Sequence, residues 1–135
     1  MIFVDTSFLV ALALPRDALH PRAILWSNSI SDRLITTDFV ICEFVNALSE
    51  PDERPKAHRI LEWLRRQDDV LILQASRNWM EAGLKLHAAR SDKGWSLTDC
   101  ISFDVMAASS ILQALTNDHH FEQAGLEALL RRDPP

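Results

Sequence analysis

Four acidic side chains stand where a carboxylate can act on a ligand. Asp5 ends the apolar run Ile2-Phe3-Val4, and Glu43 interrupts the apolar stretch from Phe39 to Val45. Asp99 falls in the first turn of a long apolar segment, and Asp118 follows Ala114-Leu115-Thr116-Asn117. In an open parallel sheet, strand ends and the helix starts that follow them share one edge, and ligands bind at that edge. The expected arrangement gathers Asp5, Asp99 and Asp118 there, with Glu43 in reach from the helix after the second strand. Clustered carboxylates repel one another, and oxygen-only donors suit hard cations such as Mg2+ or Mn2+. The usual chemistry of such a cluster is phosphodiester hydrolysis by a metal-activated water, the cation also offsetting charge on the phosphate.

Each acid also has an ordinary structural use. Asp5 or Thr6 can N-cap the helix that follows, and Glu43 shares a helical face with Asn46 and Glu50, as in a solvated stripe. Ser96-Leu97-Thr98-Asp99 matches a capping box, and Asn117-Asp118 reads as a turn and cap. Four such acids converging on one predicted edge outweigh these readings taken singly. Other residues invite different chemistry. His119-His120 lie beside Asp118, but adjacent histidines after a strand are expected to point apart, and no further nitrogen or sulfur donor has suitable spacing. They are read as structural or substrate-side residues. Ser7 has no His-Asp pair visible in the sequence, which disfavours serine hydrolysis. An apolar strand followed by Asp also opens phosphatases that use the carboxylate as nucleophile, but these place a second Asp two residues on, where this chain has Ser7.

The elements that must position these groups follow from hydrophobic period and punctuation. Ile2-Phe3-Val4 is a strand buried on both faces, followed by an apolar segment that Pro15 closes. A helix is predicted from Pro21 to Ile30, a strand over Leu34-Ile35-Thr36-Thr37, and a helix from Phe39 to Ser49 capped by Asp38. The helix from Glu53 or Arg54 to Gln67 is the most clearly amphipathic, with Ala57, Ile60, Leu61 and Leu64 on one face. Val70-Leu71-Ile72-Leu73 is a third strand, and Ser76 to Arg90 a further helix. The long apolar helix is expected over residues 97 to 113, a fourth strand over 114 to 117, and a last strand within 126 to 130. Strands alternating with helices predict a three-layer α/β/α domain with a central, mainly parallel sheet of four or five strands.

At 135 residues with 47% hydrophobic content, the chain reads as one domain spanning 1–135, long enough to bury about two-thirds of its unfolded surface. Its formal net charge of −5 argues against nonspecific nucleic-acid binding by a basic surface, but not against phosphate binding through metal. Cys42 and Cys100 form no CxxC and read as reduced core residues of a cytoplasmic protein. No leader or membrane span is expected. Trp95 is a candidate base-stacking platform, and Lys85, Arg90 and Lys93, which lead into the acidic edge, are candidate contacts to a nucleic-acid backbone, Arg90 and Lys93 above all.

With these elements in order, the chain resembles the PIN-domain ribonucleases, and most of all the small VapC-type toxins of type II toxin–antitoxin systems. The likeness is carried by Asp5-Thr6-Ser7, Glu43 in its apolar helix, Trp95-Ser96-Leu97-Thr98-Asp99-Cys100, and Leu115-Thr116-Asn117-Asp118-His119-His120-Phe121. The resemblance implies a Mg2+- or Mn2+-dependent endoribonuclease with Asp5, Glu43, Asp99 and Asp118 as acidic ligands and Thr6 or Thr116 as auxiliary hydroxyls. It further implies a homodimer held inactive by a cognate antitoxin. A catalytically silent PIN-like module that binds RNA or protein is the alternative. Asp104 departs from the common pattern, and lying five residues beyond Asp99 on a helix it is read as a non-ligand.

Overall fold

The computed structural model, which describes residues 1–135, places Ile2–Val4 (β1) in the middle of a five-stranded sheet. Beside it on one side lie Leu34–Thr37 (β2) and Val70–Leu73 (β3), and on the other Gln113–Leu115 (β4) and Glu127–Ala128 (β5). The order is β3-β2-β1-β4-β5, with every pair parallel. Phe3 is in register with Ile35 on one side and Ala114 on the other. All three residues of β1 are buried, as a central parallel strand covered on both faces requires.

Helices Thr6–Ala13 (α1), His20–Ser29 (α2), Asp38–Ala47 (α3) and Arg54–Arg66 (α4) connect β1 to β2 and β2 to β3. The chain then crosses back through Arg77–Ala89 (α5) and Leu97–Ala108 (α6) to β4, and through His119–Gln123 (α7) to β5. Helices α1 to α4 pack on one another, and α6 packs on α5 and α7. Right-handed crossovers leading in opposite directions from β1 put these two groups on opposite faces. The connection order therefore reverses between β1 and β4, and the carboxyl ends of those two strands form the crevice in which open sheets of this kind bind ligands.

Phe3 on β1, Phe121 on α7, Phe103 on α6 and Trp95 before α6 form a chain of ring contacts at 6.5, 4.9 and 5.0 Å. The last two are edge-to-face, each worth about 0.5–1.5 kcal/mol beyond the area buried. This aromatic column fixes α6 and α7 on the sheet.

Several local expectations are corrected. Thr37, not Asp38, caps α3, its side chain accepting from Val40 N; Asp38 instead accepts from Ala75 N at 3.0 Å, bracing the start of the segment after β3. Helix α6 ends at Ala108, five residues short of its expected end. There Ser110 adopts φ 54°, with Ser110 N bonded to Ala107 O and Ile111 N to Met106 O, the paired closure of a Schellman turn without its usual glycine. That early stop moves the fourth strand back to Gln113–Leu115 and leaves Asn117 in the turn. The final apolar segment is only two residues of strand followed by a 3-10 turn, Leu129–Arg131. Cys100 is buried, but Cys42 is exposed on α3, not in the core.

Candidate active site

Asp5 follows β1 directly and occupies the N-cap position of α1, yet its side chain makes no capping bond. Its carboxylate turns across the crevice, where Oδ2 accepts from Thr116 Oγ1 at 2.7 Å at the end of β4. That hydroxyl also accepts from Asp118 N at 3.0 Å and lies 3.2 Å from Ser7 Oγ. Ser7 Oγ in turn accepts from Asn117 N at 3.0 Å. One buried threonine thus joins the end of β1 to the turn after β4, and a serine on α1 braces the turn from the other side.

The remaining acids enter from the helices. Glu43 is half-buried on α3, unlike Asn46 on the same helix and Glu50 beyond its end, which are exposed. Its Oε1 accepts from Thr6 Oγ1 at 2.5 Å. Asp99 is buried at the start of α6 and completes a capping box: its amide donates to Ser96 Oγ at 3.0 Å and its Oδ2 accepts from Ser96 N at 3.1 Å. Asp118 caps α7, Oδ1 accepting from His120 N at 2.9 Å. The Nδ1 of His120 stands 2.9 Å from Asp118 Oδ1 and 3.6 Å from Asp99 Oδ2, between the two acids.

Burial and like charge act on two of these groups together. Burial pushes Asp5 from an ordinary 3.8 up to about 7; the Thr116 hydrogen bond opposes the shift, and the charges of Asp99 and Glu43 add to it. Asp99 is also raised, chiefly by burial, against its cap bonds and with the Asp118 charge adding. A set of carboxylates and hydroxyls that pays this penalty without a cation is chemically matched to a hard divalent ion. Asp5, Glu43, Asp99 and Asp118 would hold it, with Thr6 and Thr116 orienting two of them.

Other expected residues fall differently. Asp104 lies away from these acids, lining the largest cavity, of about 600 Å³, which is walled mainly by apolar residues and includes none of the four. Arg90 is clamped by both oxygens of Asp92 at 3.0 Å and lies over the Trp95 ring at 5.0 Å. Trp95 is buried and donates Nε1 to Gln123 Oε1 at 3.0 Å, so it is a structural ring and offers no open stacking face. The histidines overturn the expectation that they point apart: their rings are 4.2 Å apart at 38°, and Nδ1 of His119 lies 3.7 Å from the same Asp118 oxygen. Both occupy the first turn of α7, where the Asp118 cap draws the backbone tight. Ser7 and His120 are the site residues that the sequence alone did not single out as participants. Ser7 stood out only as an unsupported nucleophile, and His120 lost its weight to the assumption of divergence.

An open parallel sheet with acidic side chains at its switch point defines a class of α/β ligand sites. A profile of the PIN domain matches residues 2–126. The chain belongs to the PIN-domain family. Its structure is similar to that of Mycobacterium tuberculosis VapC20, described as a sarcin–ricin loop cleaving toxin, with TM-score 0.85 and 26% identity over 93% of this chain and 96% of that one. It is thus VapC-like among PIN proteins. FitAcB from Neisseria gonorrhoeae shares the fold, with TM-score 0.66 and 17% identity over 95% of this chain and 96% of that one. No curated protein sequence matches the chain significantly. No helix is long and apolar enough to cross a membrane.

Proposed function

We propose that this chain is a Mg2+- or Mn2+-dependent endoribonuclease, the toxin of a type II toxin–antitoxin pair, with Asp5, Glu43, Asp99 and Asp118 as its acidic ligands. The observation that supports the reading is that Thr116 bonds both Asp5 and the Asp118 amide at the switch point, while Thr6, the residue after Asp5, holds Glu43, and Asp99 and Asp118 flank one imidazole nitrogen. The likeness to a sarcin–ricin loop cleaving toxin supports RNA as the substrate class. When bound, the cation supplies Lewis acidity that makes water a nucleophile near neutral pH and offsets charge on the phosphoryl oxygens.

The chain's own residues hold this centre in shape. Thr116 fixes one oxygen of Asp5. Ser96 fixes Asp99 against the helix start, whose amides favour negative charge. Thr6 sets the Glu43 rotamer. Lys93, on the loop before α6, is the proposed RNA backbone contact; Arg90 shares that role less, because Asp92 already neutralises it. A cognate antitoxin, a homodimeric assembly and a cytoplasmic setting complete the proposal.

RNA cleavage by the wild type with Mg2+ or Mn2+, compared with Asp5→Asn and Asp99→Asn, tests it. Cleavage that needs the cation and drops by at least about 100-fold in each variant is expected, since each removes a charged ligand. Retained cleavage in either variant overturns the assignment.

A further inference from the structure

The paired histidines beside Asp118 take no part in the chemistry described above. Their donor atoms and that of Asp118 lie within 4.8 Å of one another. Asp118 Oδ1 is 2.9 Å from Nδ1 of His120 and 3.7 Å from Nδ1 of His119, and Asp99 Oδ2 is 3.6 Å from Nδ1 of His120. Donors placed tetrahedrally about a Zn2+ ion at its usual bond lengths stand about 3.3 Å apart. The separations here bracket that value. Nδ1 of His120 is buried and has no hydrogen-bond partner, so its lone pair or proton is unused. His119 is exposed and leaves the site open to solvent.

We propose that His119, His120 and Asp118 form a two-nitrogen, one-oxygen site for a borderline divalent cation such as Zn2+, with solvent free to complete the coordination, and that filling it inhibits the acidic centre. Imidazole donors favour Zn2+ over Mg2+, whereas the carboxylates of Asp5 and Glu43 favour the harder ion. Both modes draw on Asp118, so a cation held by the histidines competes with the acidic centre for that carboxylate. Zn2+ drawn towards the histidines holds Asp118 away from Asp5. The inhibition, but not the binding, rests on the nuclease reading.

Zn2+ binding to the full-length, metal-free protein is measured by competition with a chromophoric chelator, with Co2+ as a spectroscopic stand-in. One Zn2+ per chain is expected, with visible Co2+ bands of a nitrogen-ligated, low-coordinate ion. His119→Ala, at an exposed position, and His120→Asn should each weaken Zn2+ by at least about tenfold, while Asp5→Asn leaves it little changed. Far-UV circular dichroism establishes that each variant is folded. Zn2+ should also suppress Mg2+-dependent cleavage in the wild type, and His119→Ala should relieve that suppression relative to its own zinc-free rate. Absent Zn2+ binding, or binding unaltered in both histidine variants, overturns the proposal. Histidine-dependent Zn2+ binding in a protein that cleaves no RNA would keep the site and discard the nuclease.

Discussion

At the scale of single residues, Asp5 shows what the site costs when no cation is bound. Between about pH 4 and about pH 7 the folded chain keeps a proton on Asp5 that the unfolded chain has released. Stability of the metal-free protein therefore falls as pH rises through that window. The full shift corresponds to about 4 kcal/mol. Asp99, raised in the same direction, adds to the slope. Asp5→Asn removes the charge and can still accept from Thr116, so it should stabilise the metal-free protein at pH 8 by about 2–4 kcal/mol and have little effect at pH 4. Denaturant unfolding at the two pH values checks this, and an Asn variant less stable than its parent at pH 8 would contradict it. Thr116 is a positioning residue, contacting Asp5 and the Asp118 amide at once. Thr116→Val should weaken Mn2+ binding and cleavage by about 10–100-fold and strand the Asp118 amide at about 1–3 kcal/mol, while Thr116→Ser restores both. If valine and serine variants bind Mn2+ equally, the hydroxyl has no such role.

Elements position these residues through close packing, most tightly between α5 and α6. A Cβ added at Gly83 on α5 would come within 2.3 Å of Ile101 Cγ1 and 3.3 Å of Ile101 N on α6. Gly83→Ala must push apart two helices, one of which carries Asp99. It should cost about 1–3 kcal/mol in chemical denaturation and weaken Mn2+ binding as Asp99 shifts; unchanged stability would show that α6 adjusts freely. The same helix shows what the sequence conveys and what it conceals. Strands β2 and β3 were legible to the residue, because short apolar runs between polar punctuation permit one register. The end of α6 was not, since apolar residues continue through Ile111 and Leu112. What stops the helix is the left-handed backbone at Ser110, a conformation that sequence marks clearly only with glycine. The cap of α3 was misassigned by one residue because Thr37 and Asp38 are both competent caps, and the choice depends on Ala75, distant in sequence.

For the whole molecule, the order β3-β2-β1-β4-β5 is what makes the site possible, bringing residues 5 and 116 into contact across 111 positions of sequence. The acids could be listed from their places at strand ends and helix starts. The hydroxyl linkages and the facing histidines could not, because they depend on rotamers and on strand adjacency. On the proposed function, a chain of net charge −5 draws RNA to this crevice with few cations. Lys93→Ala should therefore weaken RNA binding and reduce its logarithmic salt slope by about 0.7, one single-strand phosphate contact. Arg90→Ala should do less, its guanidinium being held by Asp92. Equal slopes for wild type and Lys93→Ala would remove that lysine from the interface. The claim beneath all of this is that Asp5, Glu43, Asp99 and Asp118 share one cation. A crystal soaked in Mn2+ and measured at its absorption edge tests it most directly. The account predicts an anomalous peak at coordination distance, about 2.0–2.3 Å, from carboxylate oxygens of Asp5 and at least one of Asp99 and Asp118. A well-diffracting soaked crystal with no peak among these carboxylates would contradict it.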